Sequence, residues 1–137
     1  MGLVLDSGVL IGAEREAKPV SSLLAILEQE HGETDIVLSS ITVIELEHGL
    51  HRAQTAEQTR NRRNYPDTVF ASIPVEPFTR EMAQIAAKLD AEARKTGCVI
   101  PLADLLIGAT ALQFGYGVCT RNLRHFRMIS NLAVLQI

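Results

Sequence analysis

Residues 101–120 read PLADLLIGATALQFGYGVCT, and the fold is decided in this stretch. From Pro101 to Phe114, apolar residues fall on nearly every side when placed at about 100° per residue. The helix they predict is therefore a buried one. After it, Gly117–Thr120 predicts a short buried strand. A buried helix next to a buried strand belongs in a parallel sheet covered by helices on both faces.

The same alternation continues outward. Gly2–Leu5 is an aliphatic run that stops at Asp6. Ser7–Glu16 and Val20–Glu30 predict helices split by Pro19, the second ending at Gly32. Asp35–Ser39 predicts a strand, and Ser40 is the expected cap of a helix from about Ile41 to Arg52. Thr55 to about Asn64 predicts a polar helix that ends before Pro66, and Ile73–Val75 a short strand. Thr79–Lys95 is the clearest helix: Met82, Ile85, Ala86, Leu89 and Ala93 keep the helical period, with Gly97 just past its end. Beyond Thr120 a short turn and a last strand, Ala133–Ile137, complete the series. The expected architecture is a three-layer α/β/α sandwich around a central parallel sheet, in one domain over residues 1–137.

Composition narrows the class. The chain is 47% hydrophobic with no Trp, so its core is built from aliphatic residues. No apolar run is long enough for a membrane span. The opening MGLVLD lacks a basic segment and is not expected to be a secretory signal. Cys98 and Cys119 form no metal-binding pattern and are expected to be reduced core thiols, consistent with a cytoplasmic location. A net charge of −3 excludes a protein that coats nucleic acid. Ten of the thirteen cations are nevertheless Arg, the better fork for phosphate, a bias that a GC-rich genome also produces.

Three positions bring chemistry to the ends of strands, where ligands bind in such folds, and two more acids lie on helices. Asp6 follows the first strand, and Thr120 and Asn122 follow the late one. Glu45 lies in the third helix. The helical wheel sets it opposite Val43, Leu46 and Leu50, near Thr42 and Gly49, whose missing side chain leaves space beside the carboxylate. Asp104 lies on the buried helix, on the face of Gly108 and Ala111, where a neighbouring backbone can approach. A carboxylate there must be paired, hydrogen-bonded or bound to metal, unless it serves only the helix dipole.

The blocks LDSGVLI (5–11), ITVIELEHG (41–49), PLADLLIGATAL (101–112) and CTRNLRHF (119–126) resemble, in order, the four blocks of PIN-domain proteins, and more narrowly those of VapC-type toxins. That resemblance implies an acidic cleft holding Mg²⁺ or Mn²⁺ and endonucleolytic cleavage of RNA. It implies a cognate antitoxin protein, a homodimer and a larger complex with the antitoxin. Carried over by position, the catalytic set is Asp6, Glu45, Asp104 and Asn122, with Asp6, Asp104 and Glu45 as metal ligands. Ser7, Thr120, Arg121 and Arg124 are the expected substrate-positioning residues. Gly8 departs from the Asn often found there, and Asn122 stands where many members carry a fourth acid. An oxygen-only donor set selects Mg²⁺ or Mn²⁺ over Zn²⁺.

Other readings rank lower. Glu45, His48 and His51 span about 600° of helix and share no single face, which argues against zinc. His125 lies near the cleft and reads as a packed or exposed histidine. The run Arg60, Arg62, Arg63 suits RNA, an antitoxin or solvent alike. A non-cleaving PIN-like binding domain is favoured only by Asn122. A DNA-directed nuclease of the same fold would need added helices to clamp duplex or flap DNA.

Overall fold

Side chains along a strand alternate between faces, and this chain fills two cores in that way. The computed structural model describes Met1–Ile137. Strands β1 (Gly2–Leu5), β2 (Asp35–Ser39), β3 (Val75–Glu76), β4 (Gly117–Thr120) and β5 (Val134–Gln136) form one sheet in the order β3-β2-β1-β4-β5. Every pair is parallel. The helices are α1 (Ser7–Arg15), α2 (Val20–His31), α3 (Ser40–His51), α4 (Ala56–Ser72), α5 (Arg80–Lys95), α6 (Leu102–Phe114) and α7 (Leu123–Phe126). Leu3, Leu5 and Leu38 pack on one face with Val9 and Leu10 of α1, Leu27 of α2 and Val69 of α4. Val4, Val37 and Val118 pack on the other with Leu89 of α5, Ile107 of α6 and Phe126 of α7. This is the three-layer α/β/α arrangement. No helix is long and apolar enough to cross a membrane.

Several local expectations are corrected. The fourth helix does not end before Pro66 but runs through it to Ser72. A proline inside a helix removes one backbone bond. Here its ring is buried and faces Leu46 and Leu50 of α3 across a small cleft, which offsets the loss. Ser39, not Ser40, caps α3, accepting from the Ile41 N–H at 3.1 Å. Ser40 instead accepts from the Phe78 N–H at 3.0 Å, tying α3 to the segment before α5. The third strand is shifted to Val75–Glu76, because Ile73 closes α4 and Pro74 intervenes. The turn after Thr120 contains a short helix, α7. Cys119 is buried, with its thiol pushed up to about 11 chiefly by burial, whereas Cys98 is only half-buried; both are free thiols.

Candidate active site

Because the sheet is parallel, all its strands end on one edge. From β1 the chain moves to β2 on one side and later returns as β4 on the other. Loops diverge at such a reversal and leave a crevice between them. The last rung there is the Asp6 N–H donating to the Cys119 carbonyl at 2.9 Å. Asp6 and Thr120 therefore emerge side by side. The Thr120 hydroxyl donates to Asp6 Oδ2 at 2.9 Å and accepts from the Asn122 N–H at 3.0 Å. Burial raises the Asp6 pKa, and the Asp104 carboxylate raises it further. Thr120 and the N–H groups of Ser7 and Gly8 at the start of α1 pull it down.

Glu45 comes from α3. The buried stripe of that helix is Thr42, Leu46 and Leu50, not one containing Val43. Thr42 being buried, its neighbour Glu45 stands at the flank of the stripe rather than opposite it, and is half-buried beside the crevice. Burial raises its pKa, as do the charges of Asp6 and Asp104; the buried Ser7 hydroxyl and His48 oppose the rise. Glu45 Oε1 is buried without a hydrogen bond. The space expected at Gly49 is there: a Cβ at that position would meet nothing within 4 Å.

Asp104 lies in the first turn of α6. Its Oδ2 is 2.8 Å from His125 Nδ1, with the two side chains only 21% and 28% exposed. The expectation that a carboxylate on this helix needs a partner is met by His125, a residue expected from sequence to be packed or exposed. Gly108 is not approached by a backbone. It makes room for the Ile129 side chain, which a Cβ there would strike.

The remaining candidates divide. Asn122 is exposed, and its Oδ1 caps α7 by accepting from the Arg124 N–H at 3.2 Å. Arg121 is not aimed at the acids. It crosses Gly12, where a Cβ would collide with its guanidinium, and pairs with Glu16 at 2.8 Å. Arg121 and Lys18 together lower the Glu16 carboxyl to about 2. Arg124 is exposed and in no ion pair. Of the α4 arginines, Arg62 donates to the Gly49 carbonyl at 2.9 Å, Arg63 pairs with Glu47 and Asp67, and Arg60 is exposed.

Asp6, Glu45 and Asp104 thus feel one another's charge. No three His, Cys, Asp or Glu side chains are gathered closely enough to enclose an ion by themselves. Two of the acids are engaged instead by Thr120 and His125. The donor set still fits a hard divalent cation. It offers oxygen ligands, it is short of positive charge, and one buried carboxylate oxygen has no partner.

The family model of the PIN domain matches residues 3–131. The chain belongs to the PIN-domain family. It is 34% identical over 127 residues to the VapC ribonuclease Y4jK of Sinorhizobium fredii, covering 90% of this chain and 89% of that protein. It is 28% identical over 137 residues to Ribonuclease VapC of Rickettsia bellii, covering 100% of this chain and 97% of that one. The fold matches the crystal structure of VapBC2 from Rickettsia felis bound to a DNA fragment from its promoter, with a TM-score of 0.86 at 21% identity. That match covers 100% of this chain and 99% of the other.

Proposed function

We propose that this PIN-domain protein is a divalent-metal-dependent endoribonuclease and the toxin half of a toxin–antitoxin pair. The observation that supports the reading is the mutual electrostatic influence of Asp6, Glu45 and Asp104 beside the β1/β4 reversal, with two raised pKa values and one orphaned oxygen. Relatives named VapC ribonucleases, matched over nearly their whole length, support the RNA substrate. The similar VapBC2 assembly supports a cognate antitoxin partner.

Asp6 and Asp104 would hold Mg²⁺ or Mn²⁺. When bound, such an ion lowers the pKa of water and neutralises charge on the phosphate being cut. The Thr120 hydroxyl engages Asp6 Oδ2 and His125 engages Asp104 Oδ2, which orients both carboxylates. A carboxylate accepts only, so His125 Nδ1 carries the proton of that contact. Glu45, with Oε1 unengaged, serves as a further ligand or orients the attacking water. Water attacks phosphorus, the P–O3′ bond breaks, and the products carry 5′-phosphate and 3′-hydroxyl ends.

Incubation of the pure protein with total cellular RNA tests the reading. Fragments with 5′-phosphate ends are expected with Mn²⁺ or Mg²⁺ and none with EDTA. Intact RNA under both conditions would overturn it.

A further inference from the structure

A cleft of about 440 Å³ opens beside Glu45, between α1 and α3. That is within the range of about 300–1,000 Å³ typical of sites for one small ligand. Ile11 and Leu46 supply its apolar lining, and Arg15, His48 and Arg52 stand along it. Arg15 and Arg52 are exposed, and neither has a carboxylate within ion-pair distance. This sets them apart from Arg63, Arg94 and Arg121, each of which is paired with an acid. Apart from Glu45, Glu14 is the one acid on the lining. A second cleft of about 220 Å³ shares Glu14, Leu46 and Gly49 and adds Arg62. Arg62, which donates to the Gly49 carbonyl, extends the basic lining away from the acids in a chain whose net charge is −3.

We propose that this cleft holds the single RNA strand adjoining the cut, with the backbone phosphates on Arg15 and Arg52. The inference rests on the ribonuclease reading above and says where the strand leaves the acids. A phosphodiester at Glu45 has its neighbouring phosphate one nucleotide away. The cleft that reaches Glu45 carries two guanidinium groups with no carboxylate partner, the best forks for phosphate. It has no aromatic lining on which a base could stack, so the strand is held by its backbone and not read by sequence. An acidic peptide would set carboxylates against Glu14 and Glu45 without delivering a bond to the acids.

The test is fluorescence anisotropy with a labelled single-stranded RNA of about ten nucleotides. It is run in EDTA on the non-cutting Asp6→Asn background over a range of salt. Adding Arg15→Gln and Arg52→Gln together is expected to weaken binding about tenfold or more. The slope of log affinity against log salt should fall by about 1.4, at about 0.7 per lost phosphate contact on a single strand. Arg80→Gln with Lys88→Gln removes the same charge from α5 and should leave both quantities nearly unchanged. A scrambled RNA should bind alike. Unchanged affinity and slope in the cleft variant, or an equal loss in the α5 variant, would overturn the proposal. So would a cleft variant that binds RNA normally but no longer binds the antitoxin. Wild-type cleavage in Mn²⁺, run in parallel, separates the two readings. Cutting with an insensitive cleft leaves the ribonuclease standing, and absence of cutting removes both.

Discussion

His125 Nδ1 and Asp104 Oδ2 lie 2.8 Å apart and join α7 to α6 across the mouth of the crevice. The contact engages one oxygen of Asp104 and orients the carboxylate that the proposed reading assigns to a metal. Partners that orient a ligand in this way typically change affinity by about 10–100-fold when removed. His125→Ala is therefore expected to weaken Mn²⁺ binding by that order in calorimetry. His125→Asn, whose side-chain N–H reaches from nearly the same place, should recover most of it. Equal Mn²⁺ affinity in all three proteins would reduce the contact to packing.

Asp6→Asn and Asp104→Asn should each abolish RNA cleavage while leaving the circular dichroism spectrum unchanged. Both keep size and shape and remove only charge. Cutting at the wild-type rate by either variant would move the site elsewhere.

The metal-free protein should lose stability as pH rises out of the acid range. Burial raises the pKa of Asp6 and of Glu45 above 3.8 and 4.5. A raised folded pKa means that the folded state binds more protons, so this contribution is complete below the ordinary carboxyl range and disappears as pH passes the raised values. Glu16 acts in the opposite direction. Held at about 2, it stabilises above 4.5 and stops doing so as pH falls toward 2. Melting curves in EDTA should thus show Glu45→Gln flattening the loss on the neutral side, and Arg121→Gln weakening the protein only above the acid limb. Mn²⁺ should raise the wild-type melting temperature in a concentration-dependent way, and less so in Glu45→Gln. A full Mn²⁺ shift in that variant would remove Glu45 from the ligands.

Asn122 should behave as a cap. Its Oδ1 is engaged with the Arg124 N–H, so Asn122→Ala should cost about 1 kcal/mol. Asn122→Asp, an equally good cap, should leave the melting temperature unchanged. Mn²⁺ affinity in Asn122→Asp should also stay put. A gain of about tenfold, the scale of a lost or added ligand contact, would place residue 122 in the coordination shell.

Most of the layout was legible in the sequence because its periodicities are clean. Val4 between Leu3 and Leu5, and the all-round apolar surface of α6, can be read without coordinates. The placement of Asp6 and Thr120 at neighbouring strand ends was legible for the same reason, since a parallel sheet puts those ends on one edge. What escaped depended on contacts between distant elements. Pro66 is a stop signal by local rules, and only burial of its ring keeps α4 going. Thr42 is polar in sequence yet fully buried in the structure, which moved the face of α3 and with it Glu45. His125 stands 21 positions from Asp104, and nothing in either segment announces the pairing. Arg121 was assigned to phosphate by its place in a motif, but the absence of a side chain at Gly12 opens a path to Glu16.

The hydrogen bond from Thr120 to Asp6 spans 114 positions of sequence, and the strand that carries Asp6 lies in the middle of the sheet. During synthesis β1 waits beside the ribosome with one edge bare until β4 has been made. Asp104, Thr120 and His125 also arrive late. A nascent chain consequently cannot bring Asp6 and Asp104 together until α6 and β4 have been made. The order of the strands thus delays the site: a ribosome that carries an unfinished chain carries none with these acids in place.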